Sequence, residues 1–146
     1  MFFLLFYPFA AYHLIQNIKY FKKDLKWGPK IAVPVLVMLI VGIFAYMSFD
    51  MIDEEPFDFY FGLLFILSSA VMFALAILGA AVFRYSILGT AWLLLAGGLF
   101  IFTVADVWYY YLELVEGYSG IHFVNTLWVL ANSTIIYALY KHKKTI

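Results

Sequence analysis

Apolar positions along this chain fall in long unbroken runs, neither alternating with polar residues as in a half-buried strand nor confined to one helical stripe. Five such runs stand out, at residues 2–18, 31–49, 57–83, 87–108 and 121–140. Each is close to the roughly 20 residues a helix needs to cross the hydrocarbon core of a bilayer. The pattern predicts an all-α integral membrane protein, a bundle of five transmembrane helices in a single domain over residues 1–146. A transmembrane barrel is disfavoured because period-two alternation is missing.

The breaks between runs carry their own signals. KYFKKDLKWGPK reads as a basic loop with an interfacial Trp27 and a Gly28-Pro29 break, and Pro34 falls in the first turn of the second span. DMIDEEPFD is an acidic loop. Arg84 stands alone in an apolar stretch too long for one crossing, so Phe83-Arg84-Tyr85-Ser86 is a tight turn between antiparallel helices. Gly117 to Gly120, GYSG, forms the last turn. The first run lacks the basic flank and small-residue cleavage site of a signal peptide, so it is expected to be retained. Ala76 with Ala80, and Gly97-Gly98, are small enough to let helix backbones approach.

Composition agrees with the pattern. The chain is 66% hydrophobic and 12% charged, with mean hydropathy +0.96, far from the usual soluble balance. It contains no cysteine, which excludes thiol catalysis, cysteine-ligated iron–sulfur clusters and disulfides. No nucleotide loop, zinc-protease helix or nucleophile elbow is present. Nothing in the composition points to nucleic acid.

Charge sets the expected orientation. All 9 basic residues lie at Lys19 to Lys30, at Arg84 or at Lys141 to Lys144. Of the 9 acids, all but Asp24 lie at Asp50 to Asp58 or Asp106 to Glu116. Five crossings produce this two-sided separation, and the positive-inside rule then places the N-terminus outside and the C-terminus in the cytoplasm of a multi-pass cell-membrane protein. The basic loop around Asp24 is expected to meet anionic lipid headgroups.

Two groups of polar residues are candidate sites. Asp106, Tyr110 and Glu113 share a helical face at the end of the fourth span, and His122 and Asn125 begin the fifth at similar depth. As function, this outer cluster is a partner, proton or ligand site, since carboxylate, phenol and imidazole coordinate ions or relay protons. As structure, Asp106 sits at the membrane edge beside an aromatic belt, Trp108 to Tyr111, and bonds Asn125 or His122 to tie two helices. The second group is the seam His122, Asn125, Thr126, Asn132, Ser133 and Tyr137, with Asn132 at the depth of Ser68 and Ser69. It either lines a water or ion path or, as the favoured reading, makes interhelix polar contacts through Ser68, Ser69, Asn132 and Ser133. His13, His122 and His142 fall at three different depths, so no metal site and no bound cofactor is expected from this chain alone. The 16 Phe and 12 Tyr either form a pocket for a flat cofactor or, more commonly, fill gaps and face lipid and partner subunits.

Two resemblances bear on function. Ala105-Asp106, Tyr109-Tyr110-Tyr111, Gly117-Tyr118 and Asn125-Thr126-Leu127-Trp128 resemble a pattern in the membrane-sensor regions of prokaryotic histidine kinases and diguanylate cyclases. That likeness implies a sensor or ligand-binding module, from which the chain departs in ending at Ile146 without an output domain. The whole chain, and its ending YALYKHKKTI in particular, resembles small multi-spanning membrane proteins of ammonia-oxidising archaea. This implies a non-catalytic accessory subunit of an ammonia monooxygenase-type complex, with other transmembrane subunits and lipids as partners. Copper would belong to the wider complex, and no catalytic residue carries over.

Overall fold

The computed structural model describes residues 2–19, 27–116, 118–120 and 122–145. Its elements are α1 (Phe2–Lys19), α2 (Trp27–Met47), a short α3 (Met51–Glu54), α4 (Pro56–Val82), α5 (Gly89–Tyr111), a π-helical turn (Leu112–Glu116) and α6 (Phe123–Thr145). No strand occurs among the described residues. Four stretches are long and apolar enough to cross a membrane: Trp27–Met47, Pro56–Val82, Gly89–Val115 and Phe123–Thr145. Helix α1 is not among them; Pro8, His13, Gln16, Asn17 and Lys19 lower its hydropathy over 18 residues.

Several element boundaries differ from the sequence reading, each for a local reason. Gly28-Pro29 is no break, because α2 already starts at Trp27; a proline in the first turn lacks only an N–H that has no helical acceptor. Pro34 consequently lies inside α2 rather than at its start, which leaves the Lys30 carbonyl without its usual donor. The acidic loop folds into α3, and Pro56 opens α4 at its first position. The basic segment at Lys141 to Lys144 continues α6 instead of leaving it as a tail. The expected loop around Asp24 and the Gly117 end of the GYSG turn lie outside the described residues.

The turn at Arg84 forms as its isolation predicts. Ser86 donates its backbone N–H and its hydroxyl to the Phe83 carbonyl, both at 2.9 Å. Arg84 is exposed, with its guanidinium 5.3 Å from the Tyr85 ring centre.

Helices α4 and α5 form the antiparallel centre, matched by Ser69 with Thr103, Phe73 with Phe100, and Gly79 with Trp92. The Trp92 ring occupies the space a Gly79 side chain would need. Helix α6 closes on α5 at Gly98, where an added methyl would meet Ile135 and the Ala131 carbonyl. Its neighbour Gly97 faces open space. Ala76 is wholly buried, and Ala80 packs at the edge of the same core. Helix α2 lies on α4 through Phe44, stacked on Phe59 and pressed against Gly62.

Helix α1 runs parallel to α4. Tyr7 meets Phe65 edge-on near one end, and Ile18 clusters with Phe83 and Trp92 at the other. At that second end, His142 of α6 also stands edge-on to Trp92, with centroids 6.5 Å apart. The packing thereby gathers Lys19, Arg84 and the α6 lysines at one end of the bundle.

Candidate functional site

Asp106 is buried, at 4% exposure, in the interior of the bundle. It lies nine residues before Val115 (115 − 106), the last residue of its apolar stretch Gly89–Val115. At 1.5 Å per residue this is roughly 13 Å in from that end. The aromatic belt, Trp108 to Tyr111, continues the α5 helix, so Asp106 lies inside the end of that stretch. Tyr110 still packs on Gly62 and Phe65 of α4.

The partners of the carboxylate differ from expectation. Trp128 Nε1 of α6 donates to Oδ1 at 3.0 Å, and the Tyr7 hydroxyl of α1 donates a long bond to Oδ2 at 3.4 Å. The Ser69 hydroxyl of α4 lies near the same group. Ser69 sits at the midpoint of Pro56–Val82 and also donates to Thr103 Oγ1 at 3.0 Å. A hydroxyl has one proton, so Ser69 serves one acceptor at a time. Thr103 passes the chain on to the Leu99 carbonyl at 2.9 Å. One carboxylate on α5 thus joins α1 and α6 through neutral donors, with Ser69 of α4 beside it and no Lys or Arg bonded to it among the described residues.

The rest of the outer cluster does not assemble around Asp106. Asn125 is engaged in its own turn, accepting from the Tyr118 hydroxyl at 2.8 Å and donating to the Gly120 carbonyl at 2.8 Å. His122 Nδ1 accepts from the Val124 N–H at 3.5 Å, and its ring lies beside Trp108. Glu113 is exposed on the π-helical turn beside Tyr109. Among the described residues, no three His, Asp or Glu side chains come together in a way that would hold a metal ion.

The seam is corrected as well. Ser68, Asn132 and Ser133 donate to the carbonyls of Leu64, Trp128 and Val129, each four residues back in its own helix. A hydroxyl or amide at a helix surface reaches that carbonyl without any neighbour. Of the four expected interhelix contacts, only Ser69 reaches across, to Thr103.

Tyr7, Thr103 and Trp128 were missed by sequence reasoning. Two of them had a signal: Thr103 is three residues before Asp106 and Trp128 three after Asn125, on the faces already singled out. Tyr7 had none, since nothing local relates it to a residue 99 positions away.

Two clefts flank this centre. One, about 620 Å³, lies between α2 and α5 and is lined by Leu36, Ile40, Phe100, Val104 and others, with Trp108 and His122 at its mouth. The other, about 500 Å³, lies between α1 and α6 over a floor of α4 and α5, and includes Tyr7, His13, Ser69 and Asn132.

These features define an all-helical protein of membrane-spanning type with a buried interhelix carboxylate. The chain matches no protein-family model, no curated protein and no solved structure.

Proposed function

We propose that this chain is a non-catalytic integral membrane subunit that packs against and stabilises a larger membrane enzyme. The observation that carries this reading is α2. Its apolar window is the second most hydropathic of the four, yet only 6% of it is buried inside the chain. Side by side with α5 it leaves an apolar groove whose walls, Leu36 to Met47 and Phe100 to Tyr111, run along both helices. Small residues and packing rather than hydrophobicity drive helix association in lipid, so a groove of this shape suits a partner helix. Asp106 adds support, because its oxygens are engaged by Trp128 and Tyr7 inside the chain rather than presented to a substrate.

The proposed topology has five crossings, with the N-terminus outside and the C-terminus in the cytoplasm of the cell. The parallel course of α1 along α4, from Tyr7 at Phe65 to Ile18 at Phe83, supports counting α1 as a crossing. The likeness of the chain to small membrane proteins of ammonia-oxidising archaea makes an ammonia monooxygenase-type complex the first one to examine. In that setting copper belongs to other subunits and this chain supplies only packing.

Mild-detergent purification from the native membrane, followed by mass spectrometry, tests the proposal. The expected result is co-elution at fixed stoichiometry with the subunits of one enzyme, whose stability falls when this chain is deleted. A chain that elutes as a monomer, with deletion leaving that enzyme intact and active, overturns it.

A further inference from the structure

The cleft between α1 and α6 contains polar groups that the chain does not use. The His13 imidazole lines it and has no hydrogen-bond partner among the described residues. Asn132 lines the opposite wall. One of its amide hydrogens goes to the Trp128 carbonyl, while its Oδ1 and second N–H are left over. Both side chains are exposed; with α1 counted as a crossing, as proposed above, both face lipid tails, which offer neither donor nor acceptor. Of the other polar groups lining the cleft, the Tyr7 hydroxyl is engaged with Asp106 and the Ser69 hydroxyl with Thr103.

We propose that this cleft binds an uncharged, membrane-dissolved amphiphile whose hydroxyl or carbonyl head pairs with His13 and Asn132. Its apolar body lies along Phe9, Leu99 and Phe102. About 500 Å³ lies within the usual range of small-molecule pockets, and the unused polar groups of His13 and Asn132 favour a ligand with a hydrogen-bonding head over an apolar helix. The donor set supports a neutral head. A neutral imidazole and an amide each offer both a donor and an acceptor, and among the described residues no Lys or Arg lines the cleft to match an anion. The reading stands apart from the subunit proposal, since it concerns the face opposite the α2 groove.

The test uses the full chain in detergent micelles with a diazirine-bearing hexadecanol as photoprobe, and maps adducts by mass spectrometry. Labelling is expected to concentrate on residues 6–14 and 132–139. Excess unlabelled hexadecanol or a short-tailed benzoquinone competes, and which of the two competes better distinguishes a hydroxyl from a carbonyl head; hexadecane does not compete. The double variant His13→Leu, Asn132→Leu alters only exposed side chains and is expected to need about tenfold more probe for the same labelling, as for the loss of one or two hydrogen bonds. Ala10→Phe, which fills the cleft, abolishes the labelling. Adducts spread equally over the exposed face of α2, or competition by hexadecane equal to that by the alcohol, overturn the proposal. So does a double variant that labels like the parent.

Discussion

Trp128 donates its indole N–H to Asp106 Oδ1 across 3.0 Å, linking α6 to α5 well inside the bundle. The bond places the polar edge of a large aromatic side chain against a carboxylate that has no cationic partner among the described residues. It also explains why Asp106 is tolerated inside the bundle: Trp128 and Tyr7 together stand in for the water that the group has lost.

Replacing Asp106 by Leu is expected to destabilise the fold by about 2 kcal/mol, because the Trp128 and Tyr7 donors lose their acceptor in a low-dielectric interior. Asp106→Asn keeps a carbonyl for Trp128 and is expected to cost less than about 1 kcal/mol. Unfolding in SDS-containing mixed micelles, followed by far-UV circular dichroism, measures both. Equal losses for the two variants would show that the hydrogen bonds contribute little.

Trp128 and Tyr7 bind different oxygens of one carboxylate, so their contributions are coupled. Tyr7→Phe is expected to cost about 0.5 kcal/mol, reflecting its longer bond, and a Trp128→Phe change more. A double-mutant cycle on the same unfolding assay is expected to show non-additivity, with independent losses arguing against a shared centre.

Gly97 and Gly98 are adjacent, yet their substitutions are expected to behave oppositely. Gly98→Ala meets backbone atoms of Ala131 and Ile135 that cannot give way, and costs about 1–3 kcal/mol. Gly97→Ala points into open space and is neutral or stabilising by up to about 1 kcal/mol through helix propensity. Thermal melts of the two purified variants decide the matter.

The topology is testable because the chain has no natural cysteine, so each engineered thiol is unique. Asp53→Cys is expected to react with an impermeant maleimide from outside intact cells, and Arg84→Cys only after the membrane is opened. The reverse pattern would invert the orientation, and labelling of both from one side would remove a crossing.

Most of the helical layout was legible in the sequence because it is a local property. A run of apolar residues of bilayer length forms a helix whatever surrounds it, since every backbone group must be bonded within the segment. The turn at Arg84 was legible for the same reason, and so was the gathering of basic residues away from acidic ones. Asp106 was legible as the residue to question, being an acid in an apolar run. Its partners were not legible, because Tyr7 and Trp128 come from helices packed against α5 and nothing local to Asp106 points to them.

The sequence by itself therefore determined the long helical segments, the turn at Arg84, and that one carboxylate needs an account. The tertiary structure alone decided which residues answer it, bringing Tyr7 and Trp128 to Asp106 and leaving Asn125 to its own turn. It also decided that Gly98 rather than Gly97 meets α6, and that Ser69 crosses between helices while Ser68 bonds back. The reason is physical: the rotation and register of one helix against another follow from how side chains interlock at close range, and no single segment carries that information.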